Sequence, residues 1–155
     1  SPMAQRSQNR TDCMKPDNKI PDAQQYAALC YRRAGSGIEV LLITSRGTGR
    51  WIIPKGWAME DLSDHATAAR EALEEAGVVG KIRKKPIGEY PYSKWMPTEL
   101  PVQCTVQVYP LEVDHLEDNY LEKDERERRW FSQKKAAAKV GEPELKKLIL
   151  DFDPS

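Results

Sequence analysis

The chain has 155 residues, of which 24 are Lys or Arg and 24 are Asp or Glu, so the formal net charge at pH 7 is zero. A balanced charge gives no broad field for a nucleic-acid backbone, and the sequence predicts no broad nucleic-acid-binding surface. No apolar run approaches the roughly 18 residues that span a bilayer, and the N-terminus lacks the apolar core of a signal peptide. We therefore expect a cytoplasmic protein with no membrane partner.

Domain organisation follows from length and local composition. Residues 1–21 are polar and lack apolar periodicity, which predicts a disordered N-terminal segment followed by a single domain over residues 22–155. The cysteines Cys13, Cys30 and Cys104 are odd in number and far apart, which is typical of reduced thiols rather than of a disulfide framework or a zinc site.

The first predicted elements are strands. Two runs rich in strand-forming residues, Tyr26–Arg33 and Ile38–Ser45, flank a Gly-containing turn and predict a hairpin. A second turn over Arg46–Arg50 precedes the brief strand Trp51–Ile53. Pro54, Lys55 and Gly56 then predict a further turn.

A short helix is predicted next, with Ser63 as N-cap, an end near Ala76 and Gly77 as C-cap. Its glutamates share one face, and small or apolar residues form a stripe on the opposite face, which is expected to pack. The glutamates are Glu71, Glu74 and Glu75, and the stripe is Ala66, Ala69, Ala72, Leu73 and Ala76. The helix dipole disfavours anions in the last turn by roughly 0.3–1 kcal/mol each, so these glutamates do not stabilise the helix. Their placement on one face instead indicates a metal site.

The second half of the chain alternates strands and helices. The pattern predicts a basic strand and loop region over Lys81–Lys94, a half-buried strand over Val102–Val113, a charged loop over Asp114–Arg129, a strand at Trp130–Phe131, and helices over Gln133–Val140 and from Pro143 to about Phe152. Strands interleaved with helices in this way predict an α+β fold, with a mixed β-sheet and helices on both of its faces.

The run from Gly56 to Val78 resembles the Nudix box, the signature of the Nudix hydrolases. The matching positions are Gly56, Arg70, Glu71, Glu74, Glu75, Gly77 and Val78, with Ala72 as a small form of an aliphatic position. Leu62 stands where the family has its first glutamate. The flanking sequences WIIPKGW and ERRWFS resemble a bacterial branch related to diphosphoinositol polyphosphate phosphohydrolases. The resemblance implies a Nudix-like α/β/α sandwich.

Clustered carboxylates are hard oxygen ligands, which favours Mg²⁺ (or Mn²⁺) over zinc. The resemblance implies that Glu74 and Glu75 bind the metal with the Gly56 carbonyl. It also implies that Glu71 is either a ligand or the base. Arg70 is expected to brace the glutamates as the fourth residue of the catalytic set. The resemblance further implies a carboxylate ligand from outside the box, for which Glu122 in the charged loop is the first candidate and Glu125 the second.

Basic residues on the neighbouring turns, Arg46, Arg50 and Lys55, are candidates for binding terminal phosphates. The predicted activity is hydrolysis of a diphosphate or polyphosphate linkage by attack of water at phosphorus. The resemblance leaves open diphosphoinositol polyphosphates, dinucleoside polyphosphates, ADP-ribose and nucleoside triphosphates as substrates. The alternative is a Nudix-fold module that binds or senses a nucleotide without turnover. Oligomeric state has no signal in the sequence.

Overall fold

The structure is a computed structural model that describes residues 22–46, 48–95 and 101–154. The predicted N-terminal segment 1–21 lies outside these residues. The elements in chain order are β1 (Asp22–Ala34), β2 (Gly37–Thr44), β3 (Trp51–Ile52), β4 (Lys55–Trp57), α1 (Asp64–Ala76), β5 (Val78–Ile82), β6 (Gly88–Trp95), β7 (Pro101–Leu116), β8 (Arg128–Ser132), α2 (Gln133–Lys139) and α3 (Pro143–Asp151). No helix in the described ranges is both long and apolar enough to cross a membrane.

The strands of the described residues form one eight-stranded mixed sheet with a central order of β3-β2-β1-β7-β5. Strands β1 and β7 pair in parallel, from Asp22 opposite Gln103 to Tyr31 opposite Glu112. The remaining pairings are antiparallel, including the predicted β1–β2 hairpin. The prediction of a mixed sheet is confirmed.

Each face of the sheet carries its own apolar core, because successive residues of a strand point to opposite faces. On β1, Ala27, Leu29 and Tyr31 belong to a cluster completed by residues of α2 and α3. The alternate residues Ala28 and Cys30 belong to a second cluster completed by the alanines of α1. Helices therefore cover both faces, and the predicted α/β/α sandwich is confirmed.

Helix α1 ends where the sequence predicts. Ser63 accepts a hydrogen bond from the Ala66 amide over 3.4 Å, and Gly77 adopts the left-handed conformation with φ of 68°. The predicted apolar stripe is wrong at one position, since Leu73 is 37% exposed. The helix packs instead through an i, i+4 row of small residues with two polar neighbours. The buried residues are Thr67, Ala68, Ala72, Glu75 and Ala76.

Residues Lys55–Trp57 form strand β4, where the sequence predicted only a turn. They pair antiparallel with Gln25–Ala27 of β1, and the Ala28 amide donates to the Pro54 carbonyl over 3.0 Å. Strand β7 also continues to Leu116, three residues beyond its predicted end at Val113. The charged loop is accordingly shorter than predicted and spans residues 117–127.

Candidate active site

A cavity of about 420 Å³ lies between strand β4, helix α1 and the loop of residues 117–127. Its lining residues are Gln25, Ser45, Arg46, Ile52, Lys55, Gly56, Trp57, Glu71, Glu75 and Arg126. Carboxylates, cations and apolar side chains thus meet in one space, as in many small-molecule sites.

Two glutamates of α1 form a hydrogen-bonded pair inside this cavity. Glu71 and Glu75 are joined through their carboxyl groups, and Glu75 is only 7% exposed. The Lys55 backbone N–H donates to Oε1 of Glu75 over 3.4 Å. Strand β4 therefore supplies a backbone donor to the helix carboxylate.

Burial raises the pKa of Glu71 to about 9, and the hydrogen bond to Glu75 adds to this rise together with the nearby acidic charges. Burial also raises the pKa of Glu75, while the bond to Glu71 and the Arg126 charge oppose the rise. In the metal-free protein at neutral pH the raised pKa values therefore favour a proton shared by the pair.

Gly56 is required by the position of the Glu71 carboxyl group. A Cβ atom at Gly56 would lie 2.3 Å from both Cδ and Oε2 of Glu71, closer than real Cβ contacts allow. The absence of a side chain on β4 thus lets the carboxyl group of α1 lie directly against the strand.

Arg126 is a site residue that the sequence analysis missed. Its side chain is 9% exposed, and Nη2 lies 3.9 Å from Oε2 of Glu75. Its Nε donates to Oε1 of Glu122 over 2.8 Å, and Nη1 donates to the Thr44 carbonyl over 3.0 Å. Its position in the charged run 122–129 gives it no distinguishing sequence pattern, since most charges in such runs are solvated.

Arg70 and Glu74 lie outside the lining of the cavity. Nη1 of Arg70 is 4.0 Å from Oε2 of Glu74, and both side chains are partly exposed. Arg70 thus approaches one of the glutamates that it was predicted to brace, by a loose i, i+4 contact of little energetic value. The buried counter-charge in the described site is Arg126.

The C-terminal end of α1 is joined to the loop that carries Glu122. The Glu122 amide donates to the Glu74 carbonyl over 2.9 Å, and the Glu117 amide donates to the Gly77 carbonyl over 2.7 Å. Nη1 of Arg128 donates to the Ala76 carbonyl over 2.8 Å. A cation stabilises the C-terminal end of a helix, and α1 has no basic residue in its own last turn. Arg128 of strand β8 supplies that cation.

The predicted phosphate-binding residues are placed differently from one another. Lys55 and Arg46 line the cavity, and Nη1 of Arg46 forms a 2.8 Å ion pair with Oε1 of Glu125. Arg50 is exposed and is not among the lining residues; its Nε lies 3.5 Å from Oγ1 of Thr48. Glu125, the second candidate for a loop ligand, thus faces Arg46.

The donor set fits a hard divalent cation in part. The Glu71 and Glu75 carboxyl groups converge, and a shared proton and the Arg126 charge reduce the repulsion between them. A bound Mg²⁺ ion can reduce the same repulsion. Within the described ranges, no three or more His, Cys, Asp or Glu side chains already form a metal-holding group. A third carboxylate would have to rotate inward, and Glu74 and Glu122 are the nearest candidates by charge interaction.

Comparison with known proteins gives the family. Residues 23–152 match the family model described as the NUDIX domain. The chain belongs to the Nudix family, and the resemblance of its Gly56–Val78 segment is confirmed.

Relatives include Nudix hydrolase 13, mitochondrial, of Arabidopsis thaliana, which is 36% identical over 104 residues, 64% of this chain and 52% of that protein. Diphosphoinositol polyphosphate phosphohydrolase 3-alpha of Mus musculus is 39% identical over 56 residues, 36% of this chain and 34% of that protein. The chain spans about half the length of the first of these curated relatives.

Among solved structures, the NUDIX domain of Shewanella oneidensis NrtR complexed with ADP ribose has a TM-score of 0.61 and 14% identity. The match covers 96% of this chain and 98% of that chain. At this identity the likeness establishes the Nudix fold.

Proposed function

We propose that this protein is a metal-dependent hydrolase that cleaves a diphosphate or polyphosphate linkage of a small phosphorylated compound by attack of water at phosphorus. The observation that carries the proposal is the Glu71–Glu75 carboxyl pair, buried at a cavity that Lys55 and Arg46 also line. A carboxylate pair held together against its own repulsion is typical of sites that perform chemistry.

The metal ligands in this proposal are Glu75, Glu74 and Glu71, with the Gly56 carbonyl and Glu122 completing the set. Bound Mg²⁺ (or Mn²⁺) supplies charge neutralisation on the diphosphate and lowers the pKa of a water molecule. The chain contributes a rigid placement, because Glu71 rests against Gly56 and Glu75 is held by the Lys55 amide. Glu71 is either a ligand or the group that accepts the proton of the attacking water.

Cationic side chains position the substrate. Lys55 and Arg46 line the cavity and are suited to bind the terminal phosphate of the substrate. Arg50 lies at the exposed turn nearby and is the third cationic candidate for this role. Arg70 lies beside Glu74 outside the cavity, and we keep for it only the proposed role of a brace for that glutamate.

The comparisons support a proposal for the substrate class at a coarse level. One relative is named a diphosphoinositol polyphosphate phosphohydrolase, and one structural neighbour is an ADP-ribose complex. A diphosphate attached to an organic group is common to both compounds. We therefore infer a diphosphoinositol polyphosphate, a dinucleoside polyphosphate or another nucleoside diphosphate derivative.

The test is phosphate or nucleotide release from a panel of these compounds with millimolar Mg²⁺, compared with EDTA and with the Glu75→Gln variant. We expect turnover of at least one compound by the wild type in Mg²⁺ alone. Binding of a nucleotide without turnover of any compound would favour the alternative of a non-catalytic binding or sensing module. The lack of a preformed three-carboxylate group in the described ranges gives that alternative its support.

A further inference from the structure

Gln25 carries a polar atom that is buried without a hydrogen bond. The residue is 4% exposed, and its Oε1 has no hydrogen-bond partner in the part of the chain that the structure describes. Buried polar atoms are nearly always paired, because an unpaired one has lost its water without compensation. Such an atom beside a cavity therefore indicates a place for a bound hydrogen-bond donor, either an ordered water or a group of a ligand.

The position of Gln25 shows where that group comes from. Gln25 lies on β1 between Trp57 of β4 and Val106 of β7, and it lines the same cavity as Lys55 and Glu75. Strand alternation puts its side chain on the face of Ala27, which belongs to the apolar core. Gln25 is thus a polar side chain between an apolar core and the cavity.

The unpaired atom is an acceptor, and this restricts its partner. Phosphate oxygens in a Mg²⁺ complex are acceptors as well, so the diphosphate itself cannot satisfy Oε1 of Gln25. A hydroxyl or amino group can. We propose that Gln25 accepts a hydrogen bond from an O–H or N–H group on the non-phosphate part of the substrate. This inference rests on the proposed function, since it takes the substrate to be a diphosphate ester.

The charges of the cavity agree with such a substrate. Of the lining cations, Arg46 is paired with Glu125 and Arg126 with Glu122. A diphosphoinositol pentakisphosphate has a phosphate on every ring oxygen, so it brings many negative charges and no free hydroxyl. A nucleoside diphosphate derivative brings few charges and several O–H and N–H donors. Gln25 therefore selects the nucleoside type over the fully phosphorylated inositol.

The experiment compares two non-hydrolysable probes in the presence of Mg²⁺ by isothermal titration calorimetry. The nucleotide α,β-methylene-ADP and the small anion methylenediphosphonate share the same P–C–P unit, but only the nucleotide has hydroxyl and amino donors outside it. Gln25→Met, with Gln25→Leu as a second variant, removes the amide acceptor at similar volume. We expect roughly 10-fold weaker binding of the nucleotide and unchanged binding of methylenediphosphonate.

Stability gives a second readout that a merely structural glutamine would not share. Replacing an unpaired buried polar group by an apolar one of similar shape is neutral or stabilising, so the Tm of Gln25→Met should equal or exceed that of the wild type. Thr67→Val is the matched control. Oγ1 of Thr67 is also buried and unpaired among the described residues, but Thr67 does not line the cavity. Its Tm should respond similarly while binding of both probes stays unchanged.

Nucleotide analogues that each lack one ribose hydroxyl or the purine amino group identify the donor. The difference in affinity between wild type and Gln25→Met should disappear for the analogue that lacks the donor group. Persistence of the difference in all analogues would overturn the inference. An equal loss with both probes would also overturn it, because Gln25 would then act on the phosphates or their metal. A lower Tm in Gln25→Met would show that Oε1 is already paired, with the same consequence.

The proposed function can fail separately. Absence of Mg²⁺-dependent turnover with a preserved probe difference would leave Gln25 as a recognition residue in a binding module. Turnover by the wild type with no selective effect of Gln25→Met would remove only the inference about Gln25.

Discussion

Nε of Arg126 donates to Oε1 of Glu122 over 2.8 Å, although both side chains are largely shielded from solvent. The same guanidinium group binds the Thr44 carbonyl and lies 3.9 Å from Glu75. One buried cation thus joins the loop of residues 117–127, the end of β2 and the Glu75 carboxylate of α1. It neutralises part of a negative cluster in the metal-free protein.

Arg126→Gln should destabilise the metal-free protein, because it leaves Glu75 and Glu122 without their common cation. Removing one partner of a buried ion pair costs about 3–5 kcal/mol in unfolding free energy. Mg²⁺ should raise the Tm more in this variant than in the wild type, since the metal replaces the missing charge. Urea denaturation in EDTA and thermal melts with Mg²⁺ measure both effects.

The control for Arg126 is Arg33→Gln, which removes an exposed 3.6 Å pair with Glu112 and should cost less than about 1 kcal/mol. Wild-type stability of Arg126→Gln in EDTA would contradict the role of Arg126 as a counter-charge.

Glu75→Gln should lower kcat by roughly 10²–10³, because it removes a carboxylate that we propose as a metal ligand while keeping the shape of the side chain. The fold should remain, since Gln can still accept the hydrogen bond from the Lys55 amide. Initial rates at saturating Mg²⁺ provide the measurement, with the exposed strand residue Glu89→Gln as control. Full activity in Glu75→Gln would show that Glu75 is not a metal ligand in the reaction.

Gly56→Ala should impair the site more than the fold. The added Cβ would displace the Glu71 carboxyl group, and a shift of about 1 Å in a catalytic group can cost on the order of 10²-fold in rate. Both kcat and the Mg²⁺-dependent gain in Tm should be lower in Gly56→Ala than in the wild type. Gly37→Ala is the control, because a Cβ there would have no heavy atom within 4 Å. Equal kinetics in the two variants would mean that Glu71 does not need its contact with β4.

The metal-free protein should lose stability as the pH rises from about 4.5 to about 9. The first value is the ordinary pKa of Glu71 and the second its raised pKa in the folded state. Between them the folded state holds more protons than the unfolded state, so the unfolding free energy decreases with pH. The stabilising contribution of the protonated pair is fully present below the lower value.

Denaturation midpoints in EDTA across this range test the slope, with Glu71→Gln as the reference that lacks this titration. The wild type should show the steeper decline, and Mg²⁺ should reduce it because the metal takes the place of the proton. Parallel profiles for the two proteins in EDTA would exclude a buried, protonated Glu71.

Much of the fold was accessible from sequence because its signals are local. Ser63 and Gly77 bound helix α1, and Pro143 begins α3 at the first turn, as predicted. Strand β4 was missed because two of its three residues, Lys55 and Gly56, have low strand propensity. Its pairing with β1 is a tertiary contact that no local pattern encodes.

The residues of the site also fall into those that local spacing predicts and those that depend on tertiary packing. Helical spacing brought Glu71 and Glu75 to one face, but which glutamate is buried depends on how the helix rotates against the sheet. Packing through Ala68, Ala72 and Ala76 buries Glu75 and exposes Leu73, the reverse of what an apolar stripe suggests. Arg126 and Gln25 came to the cavity from distant parts of the chain, so neither had a sequence signal.

The backbone bonds that hold residues 117–127 limit how this region of the protein can change length. Amide groups of Glu117 and Glu122 are bound to the end of α1, and the Glu127 amide donates to Oγ1 of Thr44 over 2.9 Å. An inserted residue between these anchors would pull Glu122 and Arg126 out of register with the helix. The exposed hairpin turn at Gly35 and Ser36 connects the paired strands β1 and β2. A fused tag or a circular permutation at this turn should therefore disturb the cavity least.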